Sequence, residues 1–204
     1  TLYGLDVTKG AVRKHNYSVL VEGYFDLAQV WQAGVQPVVA VCGTALTSAQ
    51  ARTLKRFASK VVLSFDPDTA GQGAAARSSE LLVAEGFQVN VALLPAGNDP
   101  DVFIRKFGAR AYVERLTRSQ PYLEFLLDRA VTGLDLNRPE SRKRFLDSML
   151  TVAASIPDAA ARDQFADRLA HKARITESVN RSHPRLAWLP AWCARTVSTA
   201  LSSS

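Results

Sequence analysis

Residues 17–26 read Tyr-Ser-Val-Leu-Val-Glu-Gly-Tyr-Phe-Asp, a short apolar run that ends at an acidic residue and a glycine. The run over Tyr17–Val21 lacks the strict alternation of a half-exposed strand, which predicts a strand buried on both faces of a parallel sheet. A helix is expected over about 24–33, so that Glu22 and Gly23 occupy the turn between strand and helix. This strand–turn–helix unit predicts an α/β fold.

The same unit recurs along the first half of the chain. Further strands are predicted over 37–41, 60–65 and 87–94, and helices over 47–57, with Thr47 as N-cap, and 70–85. Strands that alternate with helices of about ten or more residues are typical of βαβ units. The predicted fold class is therefore α/β, a parallel sheet with flanking helices.

The second half of the chain shows only helical spacing. Helices are predicted over 100–107, 109–119, 121–131, 140–156 and 158–173, with a linker over 133–139. We therefore predict the end of a preceding subdomain over 1–16, the α/β domain over 17–118 and a small all-helical subdomain over 119–180. Residues 181–204 contain two of the three tryptophans and no acidic residue, and we expect an irregular tail there.

Composition excludes several classes of protein. A hydrophobic content of 47% with 22% charged residues is that of a folded globular chain. No apolar run has the ~18–20 residues of a membrane-spanning helix, so no membrane association is expected. Cys42 and Cys193 form neither a zinc pattern nor a disulfide framework, which favours a reducing cytoplasm. Without an initiator Met or a signal peptide, the chain is expected to be part of a longer cytoplasmic protein.

The net charge favours an anionic partner only weakly. It is +6 over 204 residues, and no basic stripe stands out in the sequence. Charge alone therefore does not predict a nucleic-acid-binding surface.

Acidic residues follow three of the predicted strands. They are Glu22 after the first strand, with Asp26 one helical turn further on, Asp66 and Asp68 after the third, and Asp99 and Asp101 after the fourth. The carboxyl ends of parallel strands lie along one edge of a sheet, so these acids are predicted to converge there. Converging carboxylates repel one another unless cations offset their charge. Divalent cations such as Mg²⁺ prefer such oxygen ligands and support phosphoryl chemistry.

Each acid also has a plainer interpretation. A lone Asp-x-Asp pair is more often a loop or a helix cap, and Asp99 before Pro100 fits an N-cap with proline at the first helical position. Asp26 fits a solvated helix residue. The metal interpretation is favoured because three separate strand ends each carry an acid.

Small residues near the strand ends are candidates for phosphate binding or simply for tight turns; they are Gly23, Gly43, Thr44 and Gly71. The chain contains no Gly-Lys-Thr of a Walker A loop, which excludes a P-loop nucleotide site. It also lacks a Gly-x-Ser-x-Gly elbow and a Ser-His-Asp arrangement, which argues against a hydrolase.

Four motifs occur in a characteristic order: VEGYFD over 21–26, VCGTALT over 41–47, DPDTAG over 66–71 and LPAGNDPD over 94–101. A glutamate after one strand and Asp-x-Asp after a later strand resemble the Toprim domain shared by bacterial primases, topoisomerases and some nucleases. The longer motifs, and a similarity over residues 2–175, resemble the DnaG-type bacterial DNA primases in particular.

The resemblance implies a Toprim-like fold and a nucleotidyltransferase that acts in the bacterial cytoplasm at the replication fork. Such an enzyme makes short RNA primers from NTPs on a single-stranded DNA template. It implies that Glu22, Asp66 and Asp68 are catalytic and that these three, with Asp26, Asp99 and Asp101, bind two or more Mg²⁺ or Mn²⁺ ions. Glu22 would be a metal ligand or general base.

The chain departs from the family pattern in two respects. Pro67 replaces the glycine between the paired aspartates, which makes Asp68 the least secure ligand. The family's zinc-binding domain, its basic template-binding subdomain and its C-terminal helicase-binding domain are not evident in this sequence. Zinc and the replicative helicase are therefore expected to bind outside this chain, and the fragment alone is expected to have weak activity or none.

Two other functions remain open. A Toprim nuclease or topoisomerase-like enzyme would cleave DNA without NTPs, although a topoisomerase needs a nucleophilic tyrosine in a further domain. A non-catalytic Toprim module would bind metal or nucleotide without turnover, and Pro67 is the feature that favours it.

Overall fold

The computed structural model describes residues 2–42, 45–64 and 69–173, and the chain divides into two compact units at Tyr122 and Leu123. The first unit contains a five-stranded sheet of β1 (Tyr17–Val21), β2 (Val38–Ala40), β3 (Lys60–Leu63), β4 (Gln88–Val91) and β5 (Gln120–Pro121). Its order is β2-β1-β3-β4-β5. The first four strands are parallel, which confirms the predicted α/β class.

β5 was not expected, because strand-like patterns end near residue 94. It pairs antiparallel with β4, so that Val91 lies opposite Gln120. A strand of two residues carries no periodicity that a sequence could reveal. The sheet is therefore mixed, with its one antiparallel strand at an edge.

The described residues of the sheet-containing unit form five helices: α1 (Leu5–His15), α2 (Tyr24–Gln32), α3 (Ser48–Lys55), α4 (Thr69–Ala84) and α5 (Pro100–Thr117). Thr47 caps α3 as predicted, since its hydroxyl accepts the backbone N–H of Gln50 at 3.3 Å. α5 runs through the break expected after residue 107. Gly108 adopts φ 84° and ψ 163°, a positive φ that favours glycine, so the helix kinks there and then continues.

The strands form the buried centre of this unit. Val19, Leu20, Val21 and Leu63 have no exposed surface, in agreement with the continuous apolar runs of the sequence. α1 lies against β1 and β2, and Tyr3 just before it makes an antiparallel bridge to Ala40. Residues 1–16 thus belong to the same compact unit as the sheet.

The described part of the second unit, which ends at residue 173, is helical: α6 (Tyr122–Val131) is followed by α7 (Pro139–Ser155) and α8 (Ala159–Ala173). α7 and α8 pack together and bury Phe145 and Phe165. Two ion pairs, Glu124 with Arg168 and Asp128 with Lys172, connect α6 to α8. The predicted tail over 181–204 lies outside the described residues. Within the described ranges, no helix combines the length and apolar character that crossing a membrane requires.

Two buried tyrosines in the first unit differ in one hydrogen bond. The Tyr112 hydroxyl donates to Ser64 Oγ at 2.9 Å, whereas the Tyr122 hydroxyl has no partner among the described residues. Tyr112→Phe should therefore lower the free energy of unfolding by about 1 kcal/mol. Tyr122→Phe should leave it unchanged or raise it, because it removes a buried polar group that has no partner. Urea unfolding of both variants checks this, and equal losses in the two would contradict it.

Candidate functional site

The carboxyl ends of the parallel strands are held in register by backbone hydrogen bonds. Just past the end of β2, the Cys42 N–H donates to the Glu22 carbonyl at 2.8 Å. Past β3 and β4, the Ser64 N–H donates to Leu20 at 3.1 Å and the Ala92 N–H to Leu63 at 2.8 Å. The segments that leave these strands therefore start side by side, as the parallel-sheet prediction requires.

Asp26 joins two of these segments. Its side chain is 7% exposed, which excludes the interpretation of Asp26 as a solvated helix residue. Oδ2 accepts the Gly23 backbone N–H at 3.0 Å, and Oδ1 accepts the Asp101 backbone N–H at 3.2 Å. One carboxylate thus ties the start of α2 to the start of α5, although the two lie far apart in the sequence.

Asp99 and Asp101 lie at the start of α5. Asp99 is its N-cap, with Oδ1 accepting the Val102 N–H at 2.7 Å, and Pro100 occupies the first helical turn, so the capping interpretation is confirmed. Asp101 is buried and forms an ion pair with Arg105, whose Nε lies 2.8 Å from Oδ1. The Arg105 side chain remains 63% exposed.

The electrostatics of Asp26 reflect this crowding. Burial raises the pKa of the Asp26 carboxyl above its ordinary value, and the nearby charges of Asp99 and Asp101 raise it further. The two backbone N–H groups oppose the rise by stabilising the charged form. The carboxylates of α2 and α5 are thus close enough to repel one another, which is the condition that a bound cation would relieve.

Glu22 and Gly23 lie between β1 and α2, and the Glu22 side chain is exposed. The Gly23 N–H is directed at the Asp26 carboxylate, and a Cβ added at Gly23 would lie 3.2 Å from Asp26 Oδ2. Glycine at this position therefore lets the backbone approach the buried carboxylate closely.

An aromatic pair lies beside this turn. The rings of Tyr3 and Tyr24 meet edge to face with centroids 4.6 Å apart. Tyr24 also hydrogen-bonds the thiol of Cys42, a residue with a positive φ of 52°. No local sequence pattern signals this contact, because its members come from three different segments.

The structure brings together Asp26, Asp99 and Asp101, and it places Glu22 at the same edge of the sheet. Gly71 falls within α4. The remaining predicted site residues lie outside the described part of the chain; they are Gly43, Thr44, Asp66 and Asp68. Their roles stay predictions.

The donor chemistry at this edge suits a divalent cation. The groups are hard carboxylate oxygens, and two of the three aspartates are buried. Burial is the main cause of the raised pKa of Asp26, and the charges of Asp99 and Asp101 add to it. Among the described residues, however, no group of three His, Cys, Asp or Glu side chains could hold an ion by itself. A cation here would need additional ligands, which is the role predicted for Asp66 and Asp68.

Arg105 was not among the predicted site residues. Its spacing from Asp101, i to i+4 on a helix, is a recognised signal for an ion pair. The pair partly offsets the charge of Asp101.

Two family models match the chain. Residues 19–104 match a model described as Toprim-like, and residues 123–178 match a model described as the DnaB-helicase binding domain of primase. The second match overturns the expectation that no helicase-binding segment lies in this sequence. The helical spacing of that segment carried no signal of its own that distinguishes such a domain from any other helical subdomain.

DNA primases are similar over most of the chain. The enzyme of Halalkalibacterium halodurans is 37% identical over 172 residues, which cover 84% of this chain and 29% of that protein. The enzyme of Escherichia coli K12 is 30% identical over 191 residues, covering 91% and 33% respectively. The chain thus spans about a third or less of the length of these relatives.

Solved primase structures share the fold. A crystal structure of Aquifex aeolicus primase, containing its zinc-binding and RNA polymerase domains, gives a TM-score of 0.74 at 32% identity and covers 86% of this chain and 41% of that one. A DnaG primase catalytic domain bound to single-stranded DNA gives a TM-score of 0.79 at 30% identity, covering 86% and 56%. The similarity extends over both compact units.

Proposed function

The chain belongs to the DnaG-type bacterial DNA primase family, and we propose that it is part of the catalytic core of an enzyme that makes RNA primers on single-stranded DNA. The observation that carries the proposal is the hydrogen bond from the Asp101 N–H to Asp26 Oδ1, at 3.2 Å. It gathers the acids of two segments at the edge of a Toprim-like sheet, where family resemblance places the reacting groups.

The acids have distinct proposed roles. Asp26, Asp99 and Asp101, with Asp66 and Asp68, would hold two or more divalent ions, Mg²⁺ or Mn²⁺. Glu22 would lie nearest the reacting centre as a ligand or general base, and its exposed side chain is accessible to a substrate. When bound, such ions would lower the pKa of the attacking hydroxyl and offset the charge on the phosphates.

The proposed reaction is a nucleotidyl transfer. The 3′-hydroxyl oxygen of the primer or of the initiating nucleotide forms a bond to the α-phosphorus of an incoming NTP. The bond between that phosphorus and the bridging oxygen breaks, and pyrophosphate leaves. The hydroxyl proton passes to a base, for which Glu22 is the candidate.

The proposed partners follow from this activity. They are a single-stranded DNA template, NTPs and the growing RNA primer, in the bacterial cytoplasm at the replication fork. We also propose the replicative helicase as a partner, because residues 123–178 match the model described as the DnaB-helicase binding domain of primase.

The test uses a complete protein, because the chain spans only part of its relatives. In a chimera, this chain replaces the matching segment of the Escherichia coli K12 primase, and incorporation of labelled NTPs is measured with and without a single-stranded template. We expect incorporation that requires template and divalent metal. Metal-dependent DNA cleavage in the absence of NTPs would instead indicate a nuclease, and neither activity in a folded chimera would indicate a non-catalytic module.

A further inference from the structure

The amino-end edge of the sheet, opposite the candidate site, collects basic side chains from three elements. α1 ends there with Arg13 and Lys14, α3 is followed by Arg56, and β3 begins with Lys60. We call these four residues the basic edge. They come from two stretches of the sequence, 13–14 and 56–60, that lie far apart, which is why no basic stripe is visible there.

Backbone contacts hold the segments of the basic edge together. The Ser59 N–H donates to Asn16 Oδ1 at 2.9 Å, which fixes the end of α1 against the residue before β3. In the β1–β3 register, Lys60 lies beside Tyr17. The end of α1 and the start of β3 are therefore neighbours in the fold.

Phe57 brings the two arginines onto one patch. The guanidinium carbon of Arg13 lies 5.1 Å from the centroid of the Phe57 ring, and that of Arg56 lies 5.8 Å from the same centroid. A guanidinium that contacts an aromatic ring loses conformational freedom and keeps N–H groups available for an anion. The two arginines are thus positioned before any ligand binds.

The charges of the basic edge are not offset by acids. In the described part of the first unit, Arg52 pairs with Glu85, Arg105 with Asp101 and Arg110 with Glu114. Within the same described ranges, none of the four basic-edge residues forms an ion pair. Arg13, Lys14 and Arg56 are exposed, so their positive charge faces solvent.

The surroundings favour a phosphate backbone over an acidic protein. Protein interfaces usually have an apolar centre, whereas phosphate binding needs only exposed cationic donors. No residue next to a basic-edge residue in the sequence is among the large exposed hydrophobic side chains of the described ranges. Those side chains are Tyr3, Val7, Tyr24, Phe25, Trp31, Leu93, Phe107 and Val113. Guanidinium groups also match phosphate oxygens with paired, charge-assisted hydrogen bonds.

We propose that the basic edge binds the sugar–phosphate backbone of a single nucleic-acid strand, as a second contact separate from the carboxylate site. A strand of five residues such as β1 is about 17 Å long. At about 3.4 Å per nucleotide, a single strand of roughly five or more nucleotides could reach from one edge of the sheet to the other. The proposal rests on the proposed function for the kind of strand and adds a second contact that needs no metal ion and no carboxylate, so that it can fail while primer synthesis at the carboxylate site stands.

The test is fluorescence anisotropy with a labelled oligothymidine of about 20 nucleotides, long enough to reach both edges. The complete chain is titrated in EDTA over a series of NaCl concentrations, so that metal binding plays no part. We expect salt-dependent binding, and we expect Arg13→Gln/Arg56→Gln to weaken it several-fold. The slope of log K against log salt should become shallower by about 1.4, because each lost phosphate contact to a single strand removes about 0.7.

Two control variants separate charge from packing. Lys143→Gln/Arg144→Gln removes the same charge from exposed positions of α7 and should leave affinity and slope near those of the unaltered chain. Arg13→Lys/Arg56→Lys keeps the charge and should keep the slope, whereas a loss equal to that of the glutamine variant would overturn the proposal. No salt-dependent binding by the unaltered chain would overturn it as well. The proposal would also be overturned if Arg13→Gln/Arg56→Gln bound oligothymidine normally but lost affinity for polyglutamate, since the basic edge would then bind acidic protein.

Discussion

Asp99→Asn is expected to reduce NTP incorporation by the chimeric primase at least ~100-fold while leaving the fold intact. Asparagine is as good an N-cap as aspartate, so the bond from the Val102 N–H to Oδ1, 2.7 Å in this structure, is preserved. What the substitution removes is the negative charge proposed to hold a divalent ion. A bound ion contributes several kcal/mol to catalysis, and each 1.36 kcal/mol is tenfold in rate.

A matched control exists in the helical unit. Asp158 Oδ1 accepts the Ala161 N–H at 2.7 Å, the same capping contact, at a position with no proposed catalytic role. Asp158→Asn should therefore leave incorporation within about twofold, on the same capping argument. Equal activity of the Asp99 and Asp158 variants would contradict a role for Asp99 in metal binding.

Asp26→Ala should lower the free energy of unfolding by about 3 kcal/mol, a larger loss than that expected for Tyr112→Phe or Asp6→Ala. The change leaves the backbone N–H groups of Gly23 and Asp101 without their acceptor, and each buried donor without a partner costs about 1–3 kcal/mol. Relief of repulsion with Asp99 and Asp101 offsets part of this cost. Urea unfolding followed by circular dichroism measures the result.

Two further variants make this prediction specific. Asp26→Asn keeps one carbonyl acceptor and should lose less stability than Asp26→Ala. Asp6→Ala removes an exposed carboxylate from the first turn of α1 and should cost less than about 1 kcal/mol. If Asp26→Ala were no more harmful than Asp6→Ala, the carboxylate would not be the link between α2 and α5.

The sheet was predictable because each strand carries its own local signal. The predicted bounds of β1, Tyr17–Val21, are those observed, since an apolar run ends there at Glu22 and Gly23. β5 has two residues and its position depends on pairing with β4, so nothing local marks it. Two helices were predicted on either side of position 108, and the structure instead has one helix, α5, that kinks at Gly108.

For the site, the sequence predicts which acids lie at the same edge of the sheet, but not the contacts that they make there. The position of each acid after a strand placed Asp26, Asp99 and Asp101 near one another, and the structure agrees. Their hydrogen-bond partners depend on how α2 meets α5, which the sequence does not encode locally. The basic edge was hidden for the same reason, since Arg13 and Arg56 meet only through Phe57.

The most direct test of the metal site is a Mn²⁺ titration of the complete chain, followed by electron paramagnetic resonance, beside an Asp66→Asn/Asp99→Asn double variant. The free Mn²⁺ signal should be depleted in a saturable manner by the unaltered chain and not by the double variant. No saturable binding by the unaltered chain, or equal binding by both, would contradict a metal centre at the carboxyl edge of the sheet. A non-catalytic Toprim module, the function that Pro67 favours, would then be the better interpretation.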